Sequence, residues 1–116
     1  MRHVDTRHKA RRPLTEPVLL ILISLAQRPL HGYALMKDIS EVSEGRVRLS
    51  TGTLYEALRR LLADGAIERF EQPDTSREKQ SYRLTAAGRQ VLDQEIARLH
   101  QLTAAAARLR LHEVQS

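Results

Sequence analysis

The sequence predicts a mainly α-helical chain with a small β-hairpin, in the order helix, helix, helix, hairpin, long helix. Apolar residues recur at helical spacing in four segments, and a polar, turn-rich stretch separates two short strand-like segments. The core has to be aliphatic, because the 116 residues include one phenylalanine, three tyrosines and no tryptophan. Such side chains suit helices packed on helices better than a large sheet.

Composition narrows the classes of partner. The formal net charge of +5 favours a polyanion, either nucleic acid or an anionic membrane surface. The absence of cysteine excludes disulfides, thiolate metal sites and cysteine catalysis, and it fits the reducing cytoplasm in which we expect the protein. A single small domain of this length often gains stability by burying surface against a second copy.

Residues 1–13 form a basic, polar segment that we interpret as an arm. It is either a disordered terminus or a segment that touches phosphate, and it lacks the apolar region of a secretory signal. The densest apolar run, Val18 to Ala26, is about nine residues long, whereas a membrane-spanning helix needs about 20. We therefore expect a buried core helix here and no membrane partner.

Two helices are predicted before residue 45. Thr15 can cap the first, Pro17 is tolerated in its first turn, and Pro29 ends it. The second follows His31, which we expect to cap the helix or pack locally, and we place Tyr33 in the core. Its predicted core face comprises Leu35, Met36, Ile39 and Val42.

The third helix is predicted from Ser50 or Thr51, either of which can cap it, to about Asp64. Gly65 then supplies the left-handed residue at which helices often end. Its buried stripe comprises Leu54, Leu58, Leu61 and Leu62.

A hairpin and a long helix complete the chain. Strand-like segments at Ile67–Gln72 and Gln80–Leu84 flank a charged tip at 73–79. Thr85 can cap a last helix that runs through most of 86–113, or roughly 40 Å, which is longer than a domain this small can cover. Its apolar stripe has the near-heptad spacing of a helix that packs on a partner helix. The stripe comprises Val91, Leu92, Ile96, Leu99, Leu102, Ala106 and Leu109.

Three helices with an amphipathic third one, followed by a two-stranded wing, define the winged variant of the helix-turn-helix. We therefore predict a basic arm at 1–13, a winged helix-turn-helix DNA-binding domain at 14–84 and a C-terminal dimerisation helix at 85–116. The predicted dimer contacts are Leu92, Ile96, Leu99, Leu102, Ala106 and Leu109.

The outer face of the third helix is the predicted DNA-binding surface, because such helices enter the major groove with their N-terminal part and present free N–H groups to phosphate. Tyr55 either contacts phosphate through its hydroxyl or only packs. Glu56 either accepts from cytosine or, as we favour, pairs with Arg60. The predicted contacts are Ser50, Thr51, Gly52, Thr53, Tyr55, Arg59 and Arg60, with Arg77 and Lys79 at the wing tip.

Three segments carry a family resemblance: Leu14–Leu22 followed by His31-Gly32-Tyr33, then Arg48–Tyr55, then Tyr82–Gly88. In this order and spacing they resemble the PadR family of transcriptional regulators, over about residues 14 to 90. The resemblance implies a homodimeric bacterial repressor that binds operator DNA, of the subgroup with a single C-terminal helix. Many members respond to a small-molecule effector, but the last helix here lacks the aromatic residues of the drug-binding members.

Other functions find less support in the sequence. The histidines lack metal-ligand spacing, and there is no phosphate-binding glycine loop, nucleophile elbow or paired acid constellation. We therefore predict no cofactor, no metal site and no enzymatic activity. The alternative is a winged-helix module that binds protein or RNA, because a fold alone does not fix a function.

Overall fold

The computed structural model describes residues 12–71 and 80–115, with side chains described as far as residue 110. It is mostly helical with one small sheet, which confirms the predicted fold class. The helices are α1 (Glu16–Gln27), α2 (Gly32–Val42), α3 (Thr51–Ala63) and α4 (Ala86–Gln115), and the strands are β1 (Leu30–His31), β2 (Ile67–Phe70) and β3 (Ser81–Leu84).

Each helix begins at a side-chain cap. The side chains of Thr15, His31, Ser50 and Thr85 each accept the backbone N–H of the residue three positions later, at 3.0 to 3.4 Å. Such caps satisfy N–H groups that have no partner within the helix. All four caps are confirmed, with Ser50 rather than Thr51 capping α3, and Gly65 has the expected positive φ of 78°.

The sheet has three antiparallel strands in the order β1-β3-β2, not the two strands of the predicted hairpin. Ile67 lies opposite Leu84, and Phe70 lies opposite Ser81. The unpredicted strand, β1, is only two residues long, too short to show any alternation of polar and apolar residues. The wing tip, with Arg77 and Lys79, lies outside the described residues, as does the arm as far as residue 11.

Helix α1 lies at the centre of the core, as its uniformly apolar sequence predicts. Ile21 and Leu22 are completely buried, and so are Leu35, Ile39 and Leu54 from the next two helices. The rest of the buried apolar cluster comprises Leu20, Leu25, Leu30, Leu58, Leu61, Ala66, Ile67, Tyr82 and Leu92.

Two side chains that we predicted to be buried are exposed. Tyr33 is 74% exposed, because at 100° per residue it lies about 160° around α2 from the buried Leu35. Val42 does lie on the core face, but it is the last residue of α2 and is 46% exposed. The apolar ring of Tyr33 suggests burial, but the angular position of the residue on α2 directs its side chain to the surface.

The start of α4 approaches the turn between α3 and β2 very closely. Gly88 is buried, and a Cβ atom on it would overlap the backbone carbonyl oxygen of Ala66 and come within 2.9 Å of the Leu84 side chain. The same carbonyl accepts the N–H of Thr85 at 3.1 Å, and the Thr85 hydroxyl donates to the carbonyl of Gly65 at 2.6 Å. The absence of a side chain at position 88 therefore sets how closely α4 can pack here.

The chain divides into two compact units, one of which spans residues 14–92. Leu92 belongs to the core of that unit and is only 2% exposed, so its predicted dimer contact is wrong. Farther along α4, Leu102 and Leu109 are 55% and 67% exposed. The role of residues 85–116 in dimerisation stays a prediction. Among the described residues, no helix is both long and apolar enough to cross a membrane.

Candidate nucleic-acid interface

The N-terminal turn of α3 carries a pair of hydroxyls bonded to each other. Ser50 Oγ accepts the N–H of Thr53 at 3.1 Å and donates to Thr53 Oγ1 at 3.0 Å. The cap uses a lone pair of Ser50 Oγ, and the hydrogen of the same hydroxyl is bonded to Thr53, whereas Thr53 keeps its own hydroxyl hydrogen. Of the two, Thr53 is the residue that can donate to a ligand without breaking the bond between the two hydroxyls.

The surface around this turn is open. Thr51, Gly52 and Thr53 are all exposed, and apart from the two chain neighbours and the backbone of α3 itself, no atom of the described chain lies within 4 Å of a Cβ built on Gly52. The side chain that position 52 lacks would point away from the protein. Another molecule can therefore approach the backbone of α3 closely at this point.

Tyr55 packs against the neighbouring helix. A Cβ on Gly32, at the start of α2, would overlap the Tyr55 hydroxyl and lie 2.8 Å from its Cζ atom. Tyr55 also lies near Tyr82, a buried β3 residue whose phenol pKa is raised, chiefly by burial and further by Tyr55. These contacts favour packing over phosphate binding for Tyr55, although its side chain remains 44% exposed.

The second half of α3 carries two exposed arginines that share one carboxylate. Glu56 pairs with Arg59, and its other oxygen lies 3.8 Å from Arg60 Nε. The preferred Glu56–Arg60 pairing is thus present, together with a closer one to Arg59. Exposed pairs of this kind contribute little to stability, so a phosphate can replace Glu56 as their partner at low cost.

The turn between α2 and α3 is tightly fixed. Ser43 Oγ accepts the N–H of Val47 at 2.9 Å, and Glu44 and Gly45 have φ angles of 57° and 81°. Next in the turn, Arg46 pairs with the Glu16 side chain, which lowers the pKa of that carboxyl. These bonds fix the backbone that leads into Arg48, Leu49 and the Ser50 cap.

A groove that the sequence did not predict lies beside this turn. It has a volume of about 400 Å³ and is lined by Tyr33, Met36, Lys37, Ser40, Arg48 and Leu49. Four of these residues come from α2 and two from the segment just before α3. Helical periodicity could have identified the α2 residues, because positions 33, 36, 37 and 40 share one face of a helix.

The base of the wing is held by a cross-strand pair. Arg83 Nε lies 2.6 Å from a Glu68 carboxylate oxygen, and its guanidinium lies over the Phe70 ring, 4.6 Å from the ring centre. Glu68 and Arg83 lie opposite each other on β2 and β3. The interaction aligns the two strands that lead to the wing tip.

No group of three or more potential metal ligands occurs within the described part of the chain. The described polar surface around α2 and α3 includes hydroxyls, arginines and a lysine, together with the exposed carboxylates of Glu41, Glu44 and Glu56. That arrangement can donate hydrogen bonds to an anionic polymer and attract its charge.

Comparisons with known proteins agree with this arrangement. Residues 21–94 match the family described as Transcriptional regulator PadR-like family. The chain is 37% identical over 84 residues to the transcriptional regulator Rv3488 of Mycobacterium tuberculosis. This match covers 72% of this chain and 76% of that protein. It is also 42% identical over 77 residues to an uncharacterized 37.1 kDa protein in transposon TN4556 of Streptomyces fradiae. That match covers 66% of this chain but only about a fifth (21%) of the transposon protein.

The fold also matches a solved structure. A PadR family transcription regulator from Clostridium difficile R20291 superposes with a TM-score of 0.67 at 23% identity, covering 82% of this chain and 98% of that one. This likeness confirms the predicted winged-helix fold. The chain belongs to the PadR-like family of transcriptional regulators, which are DNA-binding proteins and not enzymes.

Proposed function

We propose that this protein is a sequence-specific transcriptional repressor that binds a pseudo-palindromic operator as a homodimer in the bacterial cytoplasm. The observation that carries the proposal is the exposed first turn of α3, where Gly52 leaves the backbone open and Thr53 keeps a hydroxyl hydrogen. Recognition helices contact base edges with this part of the helix. Arg59 and Arg60 supply phosphate contacts farther along.

The dimer is supported by the apolar stripe of α4. Ile96, Leu102 and Leu109 are 37%, 55% and 67% exposed in the single chain, and they follow one another at near-heptad spacing. Exposed apolar stripes of this kind mark interaction surfaces. A dimer formed through α4 would present two α3 helices to successive major grooves, about 34 Å apart.

Repression follows from occupancy, because a bound dimer excludes other proteins from the same DNA. A small molecule or another signal can release the protein from DNA only if it binds the DNA-bound and the free state of the protein with different affinities. A signal that changes the separation of the two α3 helices would meet that requirement.

Sequence specificity is tested by selecting bound duplexes from a random pool. The unmodified protein should select an inverted repeat with half-site centres roughly 10 base pairs apart. Thr53→Ala should lower the ratio of the affinity for the selected duplex to the affinity for a scrambled duplex about 30-fold. The reason is that a dimer loses two hydrogen bonds of about 1 kcal/mol each.

Thr53→Ser is the matched control, since it keeps the hydroxyl and should keep most of the preference. Equal affinity for every duplex, or stronger binding to RNA than to DNA, would instead support the alternative of a protein- or RNA-binding module.

Close approach of DNA to α3 is tested by Gly52→Ala. Alanine is the better helix former, so the free energy of unfolding should stay constant or rise by up to about 1 kcal/mol. Affinity for the selected duplex should nevertheless fall roughly tenfold, or ~1.4 kcal/mol, because the methyl group separates the helix from the DNA. Thermal unfolding and fluorescence anisotropy measure the two effects. Undiminished affinity would mean that DNA does not approach position 52.

A further inference from the structure

We propose that Glu56 makes DNA binding selective by exchanging partners. In the free protein its carboxylate holds Arg59 and Arg60, and on the operator it releases them to phosphates and accepts a hydrogen bond from the amino group of a cytosine. At a site without that amino group the same carboxylate weakens binding. The inference rests on the DNA-binding function proposed above and adds a device that lowers the affinity for unspecific DNA.

Glu56 lies in the middle of the outward face of α3. At 100° per residue it is about 140° to 160° around the helix from each of the buried residues Leu54, Leu58 and Leu61. Its side chain is 51% exposed, and it lies one turn after Gly52, where the surface of α3 is open. A duplex that approaches α3 at Gly52 therefore meets the Glu56 carboxylate.

The carboxylate compensates both cations of the helix. Glu56 is the only acidic residue in α3, all of which the structure describes. It pairs with Arg59, and its other oxygen lies 3.8 Å from Arg60 Nε. Within the described chain neither arginine has a second ionic partner. The free protein thus covers the two charges of α3 that would otherwise attract any phosphate.

Release of the arginines costs little by itself, because exposed ion pairs contribute at most about 1 kcal/mol. The cost arises at Glu56, whose carboxylate then faces the major groove after DNA has displaced its water. A carboxylate that loses water without gaining a donor is strongly destabilised. The exchange is therefore favourable only where the DNA supplies a donor.

Cytosine is the base that supplies this donor. In the major groove guanine presents only the acceptors N7 and O6, and thymine presents the acceptor O4, so both repel a carboxylate. Adenine carries an amino group, but beside the N7 acceptor, whereas cytosine N4 donates with no acceptor next to it on the same base. Glu56 should therefore favour one cytosine in each half-site.

On unspecific DNA Glu56 should keep its hold on Arg59, so that each protomer loses one phosphate contact. This loss lowers the affinity for the many sites that lack the cytosine and leaves the operator unaffected. A genome offers about 10⁶ or more such competing sites, so the ratio of the two affinities decides occupancy. A residue that only stabilised α3 through its ion pairs would change both affinities alike.

The first experiment measures the salt dependence of binding for the unmodified protein and Glu56→Gln, on the selected duplex and on a scrambled one. Each phosphate contact contributes about 0.9 to the slope of log K against log salt, so the slope of the unmodified dimer should be about 1.8 steeper on the selected duplex. Glu56→Gln should remove this difference by steepening the slope on the scrambled duplex. Its affinity for that duplex should rise about 3- to 10-fold at low salt.

The second experiment replaces each cytosine of the selected half-site in turn by thymine, in both half-sites. At one position the replacement should weaken binding of the unmodified protein about 30-fold, because each wrong base pair costs a factor of roughly 5 or more. Glu56→Gln should lose less than about threefold at that position, since its amide can donate to thymine O4.

Asp64→Asn is the matched control, because it removes the same charge from an exposed residue at the C-terminal end of α3, eight positions (64 − 56) farther along. It should change neither the difference in slope nor the cytosine preference. Both substitutions are at exposed positions, so circular dichroism should show unchanged helix content.

Three results argue against the inference. Glu56→Gln could bind the scrambled duplex no more tightly than the unmodified protein does, Asp64→Asn could match its effects, or thymine could weaken both proteins equally at every position. In each case Glu56 does not set the selectivity, while the proposed function stands. If the unmodified protein shows no preference for any duplex, the proposed function itself fails.

Discussion

Gly88→Ala should destabilise the protein by about 1–3 kcal/mol, the usual cost of overpacking a filled site. The new methyl group would overlap the carbonyl oxygen of Ala66, a backbone atom that cannot rotate away as a flexible side chain can. Moving that carbonyl also disturbs its bond to the N–H of Thr85. For a chain of this length the melting temperature should fall by on the order of 5–15 °C, measured by thermal unfolding.

Gly52→Ala is the matched control, because it adds the same methyl group near the start of a helix where the described chain leaves open space. Its melting temperature should not fall. If the two variants melt at the same temperature, the close approach of α4 to the turn after α3 does not constrain the fold.

Local sequence patterns were enough to predict the helices, because their determinants lie within a few residues of one another. Thr15, Ser50 and Thr85 cap helices through bonds to residues three positions away, and Gly65 occupies the left-handed conformation that was expected. Each of these bonds depends only on the identity of one side chain and on the backbone of the helical turn that follows it. The same holds for the exposure of the first turn of α3, whose contact with DNA stays a prediction.

Contacts between distant segments were not predictable in this way. Gly32 and Tyr55 are 23 positions apart (55 − 32), and no local pattern shows that the ring of one lies over the backbone of the other. The groove that contains Lys37 and Arg48 likewise depends on how the turn after α2 folds back. Leu92 fits the heptad stripe of α4, but the fold buries it in the core of its own chain.

Leu102→Arg combined with Leu109→Arg should convert the proposed dimer into a monomer. Both leucines are exposed in the single chain, so the substitutions should leave the helix content unchanged. In a dimer they would place four cations in an apolar seam, where an unpaired charge costs several kcal/mol. Sedimentation should show a halved mass, and affinity for the selected inverted repeat should fall at least 100-fold, because each half-site is then bound alone.

The control adds the same charge to the opposite side of α4. Ala97 and Ala104 are exposed and lie about 120° to 160° around the helix from Leu102 and Leu109, so Ala97→Arg with Ala104→Arg should remain dimeric. Its two extra cations should strengthen non-specific binding to DNA. A leucine variant that stays dimeric would show that the stripe is not the interface, whereas a monomer with undiminished affinity would show that one copy suffices. Only the combined loss of the dimer and of tight binding agrees with two α3 helices acting on one duplex.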